Sequence, residues 1–79
     1  MLSPEDLPKA VGAALKQIRE GKGLTQEVVA ERAGLHATWV PQVEGGYRNP
    51  TIVSIGRIAA ALEVSLAEVF ALADEIETE

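Results

Sequence analysis

The sequence predicts an all-α fold of five short helices, on three observations. Helix-start residues and glycine stops alternate along the chain. The apolar residues between them recur at helical spacing. No segment alternates apolar and polar side chains as a half-buried strand does. At 79 residues the core is marginal alone, and oligomerisation is a common way to add buried surface at this size. We therefore expect one domain over residues 1–79, with a central two-helix unit at about 25–45 and a C-terminal helix and acidic tail at about 65–79.

Each element has its own signal. Ser3-Pro4-Glu5-Asp6 opens like a helix start, but Pro8 interrupts it. This predicts a loose turn at 4–7 and a first helix from about Pro8 to Glu20. Val11, Leu15 and Ile18 form its buried stripe, and Gly21 and Gly23 end it. Thr25 caps a second helix, about Gln26 to Ala33, with Val29, Ala30 and Ala33 inward and Gly34 as a left-handed stop. A third helix lies between Leu35 and Glu44, ended by Gly45-Gly46. Thr51 caps the fourth, with Ile52, Ile55, Ile58, Ala59 and Leu62 facing in. Glu63 stands in the following turn, where a residue other than glycine would be mildly strained if the chain turns left-handed. Ser65-Leu66-Ala67-Glu68 is a capping box that opens a fifth helix to about Ala73.

Composition narrows the function. There is no cysteine, so disulfides and cysteine metal sites are excluded. No apolar run is long enough to span a bilayer and no secretory leader is visible, so the chain reads as cytoplasmic, with no membrane partner. The formal net charge is −5, but all seven Lys and Arg residues fall between Lys9 and Arg57. That window holds four acids and nets +3, whereas residues 58 to 79 carry six acids and no base. Such a chain can present one basic and one acidic face. The acidic end serves either solubility or partner choice. Catalysis is poorly supported. The only histidine is His36, the glutamates are scattered, and no converging ligand set for a metal or a triad is visible. No cofactor is expected.

Leu24 to Pro50 describes two short helices meeting at a sharp glycine turn, then a basic loop. The stretch closely resembles the Xre/Cro/C1 family of phage-repressor-like helix-turn-helix domains, across roughly residues 9 to 73. The resemblance implies a lambda-repressor-like five-helix fold and binding to double-stranded DNA. It places Gln26 at the phosphate backbone or groove edge, unless Gln26 is only a surface helix-start residue. It assigns His36, Ala37, Thr38 and Gln42 to the bases, and Arg48 and Asn49 to a loop on the DNA backbone. Gln42 has the geometry for a bidentate pair with adenine, and Thr38 for bases or a thymine methyl. No Arg or Lys lies in the third helix, so we expect A/T edges or shape to be favoured over guanine. Trp39 is a wedge at the core edge, an indole donor to phosphate or, as we expect, a mixture of the two. Lys22, Lys16 and Arg57 are further phosphate candidates, and each could equally be a solvated surface charge.

The resemblance also implies an ion pair between Arg19 and Glu44 that fixes the third helix. Pro41 departs from the family pattern. A helix starting after His36 would make it the fifth residue, at a cost of about 3 kcal/mol. A start after Thr38 makes it the third, where no intrahelical donor is required. We expect the later start, with Thr38 as N-cap and residues 36–38 in a loop. Leu66, Val69, Phe70, Ala73 and Ile76, flanked by Leu72, lie on one broad face of the fifth helix and are expected to form a homodimer interface, unless Leu66, Val69 and Phe70 only close the core of the monomer. A twofold dimer would set two third helices one DNA turn, roughly 34 Å, apart on an inverted repeat. The leading expectation is a sequence-specific transcriptional regulator, a homodimeric repressor. The alternative is an antitoxin or adaptor whose acidic, apolar C-terminal part grips another protein.

Overall fold

Capping chemistry sets the boundaries of the helices in the computed structural model, which describes residues 2–76. A 3₁₀ turn at Pro4–Asp6 leads into α1, Leu7–Gly21. Then follow α2, Gln26–Ala33; α3, Trp39–Glu44; α4, Ile52–Ala61; and α5, Leu66–Ile76. No strand occurs among the described residues. The part of the acidic tail at 77–79 lies outside them.

The expected caps form at three helix starts. Thr25 accepts from the Val28 amide at 3.2 Å and Thr51 from the Ser54 amide at 3.0 Å. Ser65 and Glu68 close the reciprocal box, with Ser65 N–H donating to Glu68 at 2.8 Å and Glu68 N–H to the Ser65 hydroxyl at 3.0 Å. These bonds, with Lys22 nearby, hold the Glu68 carboxyl below the usual glutamate range. Gly34 ends α2 at φ 70°, and the Leu35 amide reaches back to the Ala30 carbonyl at 2.9 Å. That left-handed residue turns the chain sharply toward α3. Glu63 does adopt φ 60°, the strained conformation its sequence position implied.

The core is filled from all five helices. Leu15, Val29, Val40, Val43, Ile58, Leu62 and Val69 are its largest fully buried side chains. Helix α1 is the spine, packing chiefly against α5 and α3, while α2 packs against α4.

Three expectations need correction. Ile52 does not face in: it is 69% exposed. As the first residue of α4 it precedes the turn that meets the core, and Ser54, Ile55, Ile58 and Ala59 form the buried side instead. Helix α5 runs past Ala73 to Ile76, because Leu72 and Ile76 still pack against the core. Thr38 is the N-cap of α3, as the late start requires, but its hydroxyl makes no capping bond. Its φ of −76° and ψ of −14° are helical, which turns the hydroxyl away from the next amides. Pro41 is thus the third helical residue.

Gly12 has a role that no sequence pattern signalled. A Cβ built there would lie 2.0 Å from the Val43 carbonyl oxygen, so α1 crosses the end of α3 at backbone contact. Gly12→Ala is expected to destabilise the domain by about 1–3 kcal/mol as the helices separate. Urea unfolding of the variant beside the wild type checks this.

Candidate nucleic-acid interface

The interface is assembled from the start of α2, the turn at 35–38, α3 and the loop after it. Its base is an ion pair. Arg19 of α1 donates from Nε to Glu44 Oε2 at 2.7 Å and from Nη2 to Oε1 at 3.0 Å. Its Nη1 donates to the Leu24 carbonyl at 2.7 Å. The Arg19 and Glu44 side chains are 11% and 4% exposed. The Glu44 hydrogen bonds hold the Arg19 guanidinium above the ordinary arginine range, against desolvation, which acts the other way. The pair that the resemblance implies is therefore formed, and it ties α1, the α1–α2 turn and α3 together.

Gln26 joins the same network. Its Nε2 donates to Glu44 Oε1 at 2.9 Å. The amide that the sequence reading offered to DNA is thus half engaged. One N–H and the carbonyl oxygen remain for a groove-edge or phosphate contact.

Residues 36–38 precede α3, as the late start implies. The His36 ring nitrogen Nδ1 accepts from the Thr38 amide at 3.2 Å and lies 3.0 Å from its hydroxyl. His36, Ala37 and Thr38 are all exposed. They stand as an exposed turn rather than as the first turn of a helix.

The main difference from expectation lies at Trp39, Gln42 and Arg48. The Arg48 guanidinium sits over the Trp39 ring, 4.2 Å from its centroid. It also donates from Nε to Gln42 Oε1 at 2.8 Å, and from Nη2 to the same oxygen. Such a cation–π contact contributes about 0.5–2 kcal/mol, more as water is excluded. Trp39 packs against the core, as a wedge does, and carries Arg48 on its ring. The Gln42 carbonyl is occupied, so the bidentate adenine pair is not available in this arrangement. Trp39 and Arg48 are nine positions apart with a helix stop between them, so the cluster leaves no local signal. No local spacing rule links such residues.

The remaining candidates are dispersed. Asn49 is exposed beside Arg48. Lys22 follows α1, where its charge helps lower Glu68. Arg57 donates to the Ala33 carbonyl at 3.4 Å, at the end of α2. Neither Lys22 nor Arg57 is bonded to the Trp39 cluster.

A two-helix unit pinned to a spine by a buried ion pair, with an exposed polar turn and an arginine laid on its second helix, matches a known family. The helix-turn-helix domain model matches residues 10–72. The chain belongs to that helix-turn-helix family, of the Xre/C1 type. It is 40% identical over 70 residues to the uncharacterized HTH-type transcriptional regulator y4dJ of Sinorhizobium fredii, covering 89% of this chain and 91% of that one. It is similar to the restriction-modification controller protein C.AhdI from Aeromonas hydrophila, at TM-score 0.76 and 39% identity over 78% of this chain and 94% of the other. It is also similar to the controller protein C.Esp1396I, solved as a tetramer with its natural 35 base-pair operator. There the TM-score is 0.81 and the identity 36%, over 87% of this chain and 91% of that one.

The ion pair gives this helix-turn-helix a direct test. In a double-mutant cycle of Arg19→Ala and Glu44→Gln, either single change should cost about 3–5 kcal/mol, because each leaves a buried charge or its donors unpaired. The coupling should exceed about 1 kcal/mol, as residues in one network show. Chemical unfolding of the four proteins provides the measurement.

Proposed function

We propose that this protein is a sequence-specific DNA-binding transcriptional regulator that acts in the cytoplasm, as a homodimeric repressor on an inverted-repeat operator, and that it is not an enzyme. The observation that carries the reading is the Arg19–Glu44–Gln26 network, which fixes α2 and α3 in the helix-turn-helix arrangement. The operator-bound relative supports it. No helix among the described residues is long and apolar enough to cross a membrane.

The burial pattern revises which residues serve the dimer. Val69 and Ala73, expected at the interface, are fully buried within the monomer. They close the core against α1 and have no surface left for a partner. Leu66 is 40% exposed, and Phe70, Leu72 and Ile76 are half-buried against the core. Helix α4 adds a surface that begins at Ile52, the one residue of it expected to face inward. Ile52 and Val53 are 69% and 66% exposed. Ile52, Gly56 and Ala60 repeat at helical spacing on one outer stripe, toward the turn that starts α5. Gly56 has no neighbour within 4 Å of a built Cβ, so nothing inside the monomer explains a glycine that costs roughly 0.5–1 kcal/mol against alanine. We assign the dimer face to this α4 stripe together with Leu66 and Phe70.

A binding series over salt tests the DNA reading. Affinity for duplex should fall steeply and linearly in log–log form as salt rises, because phosphate contacts release counterions. A salt-independent association with protein alone would favour an adaptor instead. Ile52→Glu with Leu66→Glu should leave the fold intact and give monomers in sedimentation, with loss of operator binding at low protein concentration. Both changes lie on exposed positions, so helical circular dichroism should be retained.

A further inference from the structure

We propose that Arg48, held between Trp39 and Gln42, is the specificity-determining residue of this protein and reads a guanine in the major groove, with Gln42 donating to the neighbouring base. The inference rests on the DNA-binding reading above and sharpens it. It reverses the A/T preference expected from a third helix without arginine or lysine, because the missing cation is supplied from the loop.

Donors and acceptors decide the assignment. An arginine has five N–H donors and no acceptor. The atom of Gln42 that faces Arg48 must therefore be the carbonyl oxygen, which settles the amide orientation. That oxygen takes the Nε–Nη2 edge of the guanidinium. The terminal edge, Nη1 with the second hydrogen of Nη2, carries no hydrogen bond to the described residues. It presents two parallel N–H groups. The Gln42 amide nitrogen likewise carries only donors. The combined surface thus offers N–H groups and no acceptor from these two residues. Adenine presents N7 as an acceptor but N6 as a donor in the major groove, so a donor-only surface leaves it half unmatched. Guanine presents two adjacent acceptors, N7 and O6.

Phosphate oxygens also accept two parallel N–H groups. The position of the guanidinium favours the base. It is stacked on the first residue of α3 and bonded to the fourth, so it cannot swing freely to the backbone. It travels with α3. Gln42 lies on the same outward side as Thr38, four residues earlier, and Arg48 extends that side.

The test uses the full chain and a random pool of duplex DNA. Selection should enrich sites with a guanine at one fixed position in each half-site. Replacing that guanine with 7-deazaguanine removes one of the two acceptors and should weaken binding by about fivefold or more, the lower end for a bidentate base contact. Arg48→Lys keeps the charge but not the paired donors. It should lose affinity for the selected site and with it the preference for that site over unselected duplex. Gln42→Glu still accepts from Arg48 but no longer donates. It should keep the guanine preference and change the preferred neighbouring base. Selected sites without a fixed guanine would overturn the proposal. So would sites insensitive to 7-deazaguanine but weakened by methylphosphonate at the flanking phosphates, and in either case the DNA-binding reading would stand. Failure to retain any duplex at low salt would overturn both.

Discussion

The Glu44 carboxylate, buried and held by three N–H groups from two other helices, is the interaction on which the orientation of α3 depends. Arg19 supplies two of these donors and Gln26 the third. The third guanidinium nitrogen of Arg19 ties down the Leu24 carbonyl, so one side chain positions both ends of the α1–α2 turn and the end of α3. A buried pair of this kind adds little net stability over an apolar replacement, because desolvation offsets most of the attraction. Its effect is directional. With six residues, α3 has too few internal hydrogen bonds to hold itself. It needs an anchor at its C-terminal end and apolar contacts from Val40 and Val43, which are 1% and 0% exposed.

Around that anchor the helices approach closely. Gly12 lets α1 touch the Val43 carbonyl, and Gly34 turns the chain between α2 and α3. The result is a rigid platform whose exposed side carries the turn at 36–38, Gln42 and the stacked Arg48. Charge follows the same division. The bases fall between Lys9 and Arg57 and the C-terminal segment holds only acids, so a net-negative protein can still offer an anion-binding side.

Much of the fold was legible in the sequence because it rests on local rules. Thr25, Thr51 and the Ser65–Glu68 box act within four residues, and Gly34 needs only its own φ. Their helices follow closely. Pro41 placed the start of α3 because proline penalises one register and not the other. The errors occur where local rules end. Ile52 fitted the apolar spacing of α4, but spacing does not say where along a helix the core begins. Val69 and Ala73 fitted a dimer face on α5, but a wheel cannot separate a face buried on α1 from one left for a partner.

The sequence by itself determined five helices, the sharp turn between α2 and α3 and the late start of α3, since caps, glycines and prolines act through backbone conformations a few residues long. The Arg19–Glu44 pair was reached through family resemblance, and Gly12 was not reached at all. Tertiary structure alone decided that Arg48 lies on Trp39 and occupies the Gln42 carbonyl, and that Gln26 is shared with Glu44. Those contacts join residues across a helix end or between helices. Their existence depends on how the chain closes on itself, a property that no periodicity along it encodes.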